Sequence, residues 1–127
     1  MAEFKNARKR AIGLGSAKEG SAHWLSQRIG SVALLPLGVW FITSLIFLAG
    51  ADFVTWRAWI ASPWTLGFLG LFLIVLLHHA YLGMRVIVED YISSHGTRFF
   101  WITSIQFLAW IAGAIALVAL LMIFIGR

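Results

Sequence analysis

The sequence contains no cysteine. Disulfides, thiolate zinc sites, self-held iron–sulfur clusters and covalently attached c-type haem are therefore excluded. Charge is scarce as well. Only 12 % of the 127 residues are Asp, Glu, Lys or Arg, and just five are acidic. A soluble domain of this length could not hide a composition that is 61 % hydrophobic, so the chain reads as an integral membrane protein. There is no internal repeat and no low-complexity segment. No Gly-rich nucleotide motif is present, and no Arg/His cluster for carboxylates, so flavin and dicarboxylate sites are not expected in this chain.

The charge that is present is unevenly placed. The net charge is +5, and five of the ten basic residues fall in the first eighteen: Lys5, Arg8, Lys9, Arg10 and Lys18. A basic tail of this kind obeys the positive-inside rule and touches anionic phospholipid. No stacking aromatics or reading helix accompany it, so nucleic acid is not an expected partner. Its basic cluster is separated from any apolar run by mostly polar residues, unlike a cleaved secretory signal. Glu3 and Glu19 argue against a mitochondrial presequence.

The expected fold class is all-α, a membrane protein with three transmembrane helices. Residues 1–22 form a polar, loosely ordered cytoplasmic tail and residues 23–127 a three-helix anchor domain, with helices over about 29–49, 64–90 and 99–125. Each run is about twenty residues or longer, which at about 1.5 Å per residue crosses a core of about 30 Å. Pro36 lies within the first run and reads as a bend. Gly50 to Pro63 reads as a short external loop, with Asp52 set against Arg57 and with Trp56, Trp59 and Trp64 in an interfacial belt. Pro63 suits the first turn of the second helix. Ser93 to Thr97 reads as a turn. The charge distribution places the N-terminus in the cytoplasm and the C-terminus in the periplasm of a bacterial inner membrane, in preference to a mitochondrial one.

The second helix carries the chemistry. His78 and His79 sit within its apolar span, and ionisable groups at that depth commonly mark function. On a helical wheel His79, Gly83, Val86 and Asp90 share one stripe, while His78 points about 100° away. A glycine one turn from a histidine leaves room for a flat ligand, although Gly83 also suits close helix packing. Neutral imidazole is an iron ligand, and haem b needs no covalent attachment. His79 can equally be read as an interhelical hydrogen-bonding residue, a proton relay or part of a substrate site. A bis-histidine haem requires a second ligand at the same depth. His23 and His95 lie at the boundary and His78 is on another face, so that ligand would come from another chain. Asp90 stands about 16 Å along the axis from His79, beside Tyr91. A phenol can donate to a quinone carbonyl and a carboxylate can relay protons, or the pair can simply end the helix. Arg28 could meet haem propionates or snorkel to the boundary.

The run His79-Ala80-Tyr81-Leu82-Gly83-Met84-Arg85-Val86-Ile87-Val88-Glu89-Asp90-Tyr91 resembles the motif of the succinate dehydrogenase hydrophobic membrane anchor family. That motif has a His, an aromatic two residues on, Gly at i+4 and Asp-Tyr at i+11 and i+12. His23-Trp24-Leu25-Ser26-Gln27-Arg28 is similar to the segment leading into the family's first helix. The resemblance covers roughly residues 15–127. It implies half of a haem-holding helical bundle, shared with a cytochrome b556 membrane subunit that provides the second ligand. It implies His79 as axial ligand of haem b and hence of its iron, Arg28 at the propionates and Gly83 as the close-approach position. His79 is preferred over His78 because Gly83 lies on its face. Tyr91 and Asp90 are the implied ubiquinone-binding residues.

FAD and iron–sulfur clusters would reside only in the flavoprotein and iron–sulfur partners that the anchor docks. The chain would act as a subunit of respiratory complex II, in the tricarboxylic acid cycle and electron transport, with no independent catalytic activity. Two alternatives remain at this stage. One is the haem b subunit of a fumarate reductase-type quinone complex, although such single-chain anchors carry more helices and more intramembrane histidines. The other is a non-catalytic structural or assembly membrane protein. A transporter is disfavoured, because one polar position in three helices builds no pathway.

Overall fold

The computed structural model describes residues 18–126. The basic cluster Lys5–Arg10 and the rest of residues 1–17 of the expected tail lie outside the described residues, whereas residues 18–22, expected to be loosely ordered, are helical. Four helices follow in sequence: α1 (Lys18–Phe47), α2 (Phe53–Ile60), α3 (Pro63–Tyr91) and α4 (His95–Ile125). There is no strand among the described residues. α1, α3 and α4 are long and apolar enough to cross a membrane, as the all-α membrane reading expects.

The boundaries differ from the hydropathy runs in an informative way. α1 begins at Lys18 rather than near Ile29, because Lys, Glu, Ala, Leu, Gln and Arg are good helix formers. At about 45 Å it is longer than the apolar core it crosses, so its first turns project as a polar extension. α1 ends in a turn whose Gly50 has φ +81°, a conformation that glycine adopts without Cβ strain. Pro36 is accommodated inside the helix. The hydroxyls of Ser31, Thr43 and Ser44 donate back to the carbonyls of Gln27, Val39 and Trp40 at 2.7–2.8 Å. That satisfies them without water.

The region expected as a loop contains α2. Asp52 caps it by accepting from the Thr55 backbone N–H at 3.0 Å. Hydrogen bonding from Thr55, through its side chain first and its backbone N–H second, holds the Asp52 carboxyl below its ordinary value. Trp59 stacks on Trp40 with centroids 5.9 Å apart and meets Trp56 edge-on at 6.0 Å. Arg57 donates to the Gly126 carbonyl and ties α2 to the end of α4. The second turn is shorter than Ser93–Thr97, since α4 already begins at His95. Arg98 makes this possible by donating to the Ile92 carbonyl at 3.0 Å, which occupies an acceptor just beyond the end of α3.

α3 is the central element. α1 packs on one side of it and α4 on another, and among the described residues no Cα of α1 comes within 8 Å of a Cα of α4. Phe41 meets Phe72 at 5.0 Å and Trp40 meets Phe68 at 5.3 Å across α1 and α3. Gly113 admits Leu77 across α3 and α4: a Cβ at Gly113 would lie 3.1 Å from the Leu77 Cδ1. Few side chains are buried, chiefly Leu37, Ala61, Thr65, Leu69, Leu82 and Val88. Most large apolar side chains face outward, as in a bilayer protein, where lipid replaces core.

Candidate functional site

The two adjacent histidines leave α3 in different directions and meet different surroundings. His78 is exposed on the side between α1 and α4, and its Nε2 lies 3.1 Å from the Ser26 Oγ of α1. His79 turns toward α1 itself. A Cβ built at Gly30 would stand 3.6 Å from the His79 Nδ1 and 4.0 Å from its Cβ. That nitrogen is buried and has no hydrogen-bond partner. Burial without a partner costs roughly 1–3 kcal/mol, so the ring is held in place by packing while its polar edge remains unsatisfied.

The pairing with Gly30 also fixes depth. His79 is near the middle of α3, yet Gly30 is only two residues beyond Arg28 on α1. The ring therefore lies about 3 Å, along the axis, from the level of that arginine. Arg28 is exposed, and its guanidinium sits 4.9 Å from the Trp24 ring centroid as a cation–π contact. No contact joins it to His79. Gly83, the predicted close-approach position, faces open space: nothing lies within 4 Å of a Cβ built there. Asp90 and Tyr91 are exposed at the C-terminal end of α3, with Tyr91 86 % accessible. Neither forms an ion pair or hydrogen bond among the described residues.

Residues outside the predicted set complete the polar end of the bundle. Arg85 pairs with Glu89 one turn away at 2.8 Å and donates to the His23 Nε2 of α1 at 2.9 Å. The i, i+4 spacing of Arg85 and Glu89 is a signal that could have found that pair. His23, Ser26 and Gly30 carry no such signal, because their partners lie on another helix. Among the described residues no three His, Asp or Glu side chains converge as a bare-metal site. What the chain offers a metal is a single imidazole, and a metal already held by a macrocycle needs no more than that from one helix. The seam with α1 buries the Nδ1 of His79, which leaves Nε2 as the nitrogen that could meet such a group, with open space at Gly83 one turn away.

Residues 3–124 match the family described as succinate dehydrogenase/fumarate reductase transmembrane subunit. Similar proteins include the succinate dehydrogenase hydrophobic membrane anchor subunit of Rickettsia conorii, 38 % identical over 76 % of this chain and 77 % of the relative. That of Rickettsia bellii is 36 % identical over the same shares. That of Paracoccus denitrificans is 34 % identical over 72 % of this chain and 70 % of its own length. No solved structure matches. Three apolar helices, the histidine motif on the central one and these relatives lead to one conclusion: the chain belongs to the succinate dehydrogenase/fumarate reductase transmembrane subunit family, on its hydrophobic membrane anchor branch.

Proposed function

We propose that this anchor subunit holds one side of a haem b through His79 and contributes Tyr91 and Asp90 to a ubiquinone-reduction site. The observation that carries the reading is the packing of His79: its Nδ1 is buried against Gly30 of α1, and no hydrogen bond takes up its Nε2 among the described residues. An interhelical hydrogen bond, the ordinary use of a membrane histidine, is made by His78 and Ser26 and not by His79. The second axial ligand would come from a cytochrome b556 subunit. The flavoprotein and iron–sulfur subunits would dock at the end of the bundle carrying Asp90 and Arg98, on the cytoplasmic side of a bacterial inner membrane.

Bound haem supplies a one-electron carrier. The chain's own residues position and neutralise. His79 offers an imidazole in an apolar wall. Gly30 supports that ring without crowding it. Gly83 leaves the adjoining face open to a macrocycle. Arg28, engaged only with an aromatic face, is free to take up a carboxylate near the boundary. At the end of α3 the Tyr91 phenol would donate a hydrogen bond to a quinone oxygen. The Asp90 carboxylate beside it would hand on protons from water as the quinone is reduced.

The test is a reduced-minus-oxidised visible spectrum of the purified complex from wild type, His79→Ala and His78→Ala. A b-type band lost or shifted only in His79→Ala is the expected result. A normal band in His79→Ala would transfer the ligand to His78 or to another subunit. A wild type without a band or dehydrogenase partners would favour a structural membrane protein.

A further inference from the structure

The polar ends of α1 and α3 are joined by a hydrogen bond whose chemistry fixes the state of one partner. Arg85 donates from Nε to the Glu89 Oε1 at 2.8 Å and from Nη1 to the His23 Nε2 at 2.9 Å. A guanidinium has donors only and keeps its proton. The His23 Nε2 must therefore accept, which only the neutral ring with its proton on Nδ1 can do. A protonated His23 carries an N–H on both nitrogens. It loses this bond and faces Arg85 as a second cation.

The place of the bond gives that change an effect. On α3, His78, Arg85 and Glu89 stand at i, i+7 and i+11, so they share one stripe about 40° wide. The stripe is turned to α1, where His78 meets Ser26 and Arg85 meets His23. His23 lies about 7.5 Å nearer the polar end of α1 than Arg28 and about 10.5 Å from Gly30, clear of the contact with His79. It is exposed, so protons from the aqueous boundary reach it. A groove of about 290 Å³ separates the two helices here, with Gly20, Gln27 and Val86 in its walls. Leu82, at its inner end, is buried. The seam thus passes from apolar packing at Leu82 to a polar link at His23.

The neighbouring charges leave that link decisive. On α3, Glu89 is held by Arg85, Tyr81 lies one turn before Arg85, and Asp90 stands about 100° from Glu89 on the wheel. On α1, Glu19 precedes His23 by four residues and Arg28 is engaged with Trp24. α4 brings no Cα within 8 Å of α1 among the described residues. Glu89 is the α3 carboxylate on the latch stripe that could draw a protonated His23, and it lies a further turn along the helix with Arg85 already on it.

We infer that His23 and Arg85 form a proton-sensitive latch. Neutral His23 closes the first turns of α1 onto the end of α3. Protonated His23 releases them and opens the groove. The latch is closed at the upper end and open at the lower end of the range in which histidine changes charge, about pH 5–8. It rests on neither haem nor quinone. One consequence does rest on the proposed function: at the end where peripheral subunits dock, proton concentration would set how α1 is presented to them.

The experiment uses the intact complex in lipid nanodiscs, with two cysteines placed in this otherwise cysteine-free chain. Gly20→Cys and Val86→Cys face each other across the groove, and a Cβ at Gly20 meets nothing within 4 Å. A short bis-maleimide links them at about pH 8 and about pH 5.5, and the product is identified by mass in peptides of this chain. Yield is normalised to Gly20→Cys with Gln27→Cys, a pair within α1, which cancels the effect of pH on thiol reactivity. Wild-type yield is expected to fall about threefold at the lower pH, the scale of an exposed charged pair. His23→Gln keeps an acceptor for Arg85 and cannot titrate, so its yield should stay high at both values. His23→Leu has no acceptor, so its yield should be low at both. Glu89→Gln should keep the step. A wild-type yield that does not change with pH overturns the inference, as does a step that survives in His23→Gln or a high yield in His23→Leu. Loss of the step in Glu89→Gln would give the titration to the carboxylate and overturn it too. A missing b-type band in the same samples would remove the haem reading without touching the latch.

Discussion

His78 and His79 share a peptide bond but stand about 100° apart on α3, and that angle separates two kinds of membrane histidine. His78 is exposed, bonds Ser26 across the helix seam and is satisfied at one nitrogen by protein. His79 is packed against Gly30 with a buried nitrogen that protein does not satisfy. The first is what interhelical stabilisation looks like. The second is a ring fixed by packing at a cost in stability, with its Nε2 uncommitted to any protein group among the described residues. Depth within the bilayer does not distinguish the two rings; only the neighbour that each direction meets does so.

The sharpest way to break this comparison is to exchange the two positions. His79→Ala should abolish or shift the b-type band, while His78→Ala should retain it; equal loss in both would erase the distinction. Gly30 gives a graded version. Gly30→Ala places its Cβ in ordinary contact with the His79 ring and should keep haem. Gly30→Leu must displace the ring and should lower haem content per complex severalfold, read by pyridine haemochrome. A full complement of haem in Gly30→Leu would show that the contact does not position His79.

A smaller effect is expected at the satisfied histidine. Ser26→Ala removes one interhelical hydrogen bond, for which about 0.6 kcal/mol is typical in a bilayer. It should slightly lower resistance to denaturing detergent with an unchanged spectrum. A spectral change there would couple His78 to the haem. The smallest effect belongs at the opposite end of the bundle. The Asp52 carboxyl is held below its ordinary value by Thr55. Its support of α2 is therefore full above the ordinary value and is lost as pH falls through the lowered one. Amide exchange in α2 should rise over that acidic interval in wild type but not show the same step in Asp52→Asn, with neither histidine affected.

Much of this arrangement was legible in the sequence. Three apolar runs became three long helices, and the His79–Gly83–Asp90–Tyr91 spacing sits on one of them. The helical period fixes such angles within a single helix. It does not say which neighbour lies against which face. So Gly83 was legible as sharing a side with His79, whereas Gly30, the glycine that the ring meets, was not. The same limit hid Ser26 beside His78 and His23 beside Arg85. Hydropathy also could not register α2, whose eight residues are held by the Asp52 cap, by Trp40 and by the Arg57 link to Gly126. Nor could it show the early start of α1, where helix propensity continues through polar residues.

The placement of α3 between two helices whose backbones stay apart has a consequence for biogenesis. When α1 first enters the bilayer it has no intramolecular companion; its docking surface is made only when α3 follows. α4 in turn can be added or lost without undoing the seam between α1 and α3. The middle segment is thus the commitment point of membrane integration. A subunit stalled before it would present the quality-control machinery with a lone helix, and one stalled after it with a histidine seam already assembled.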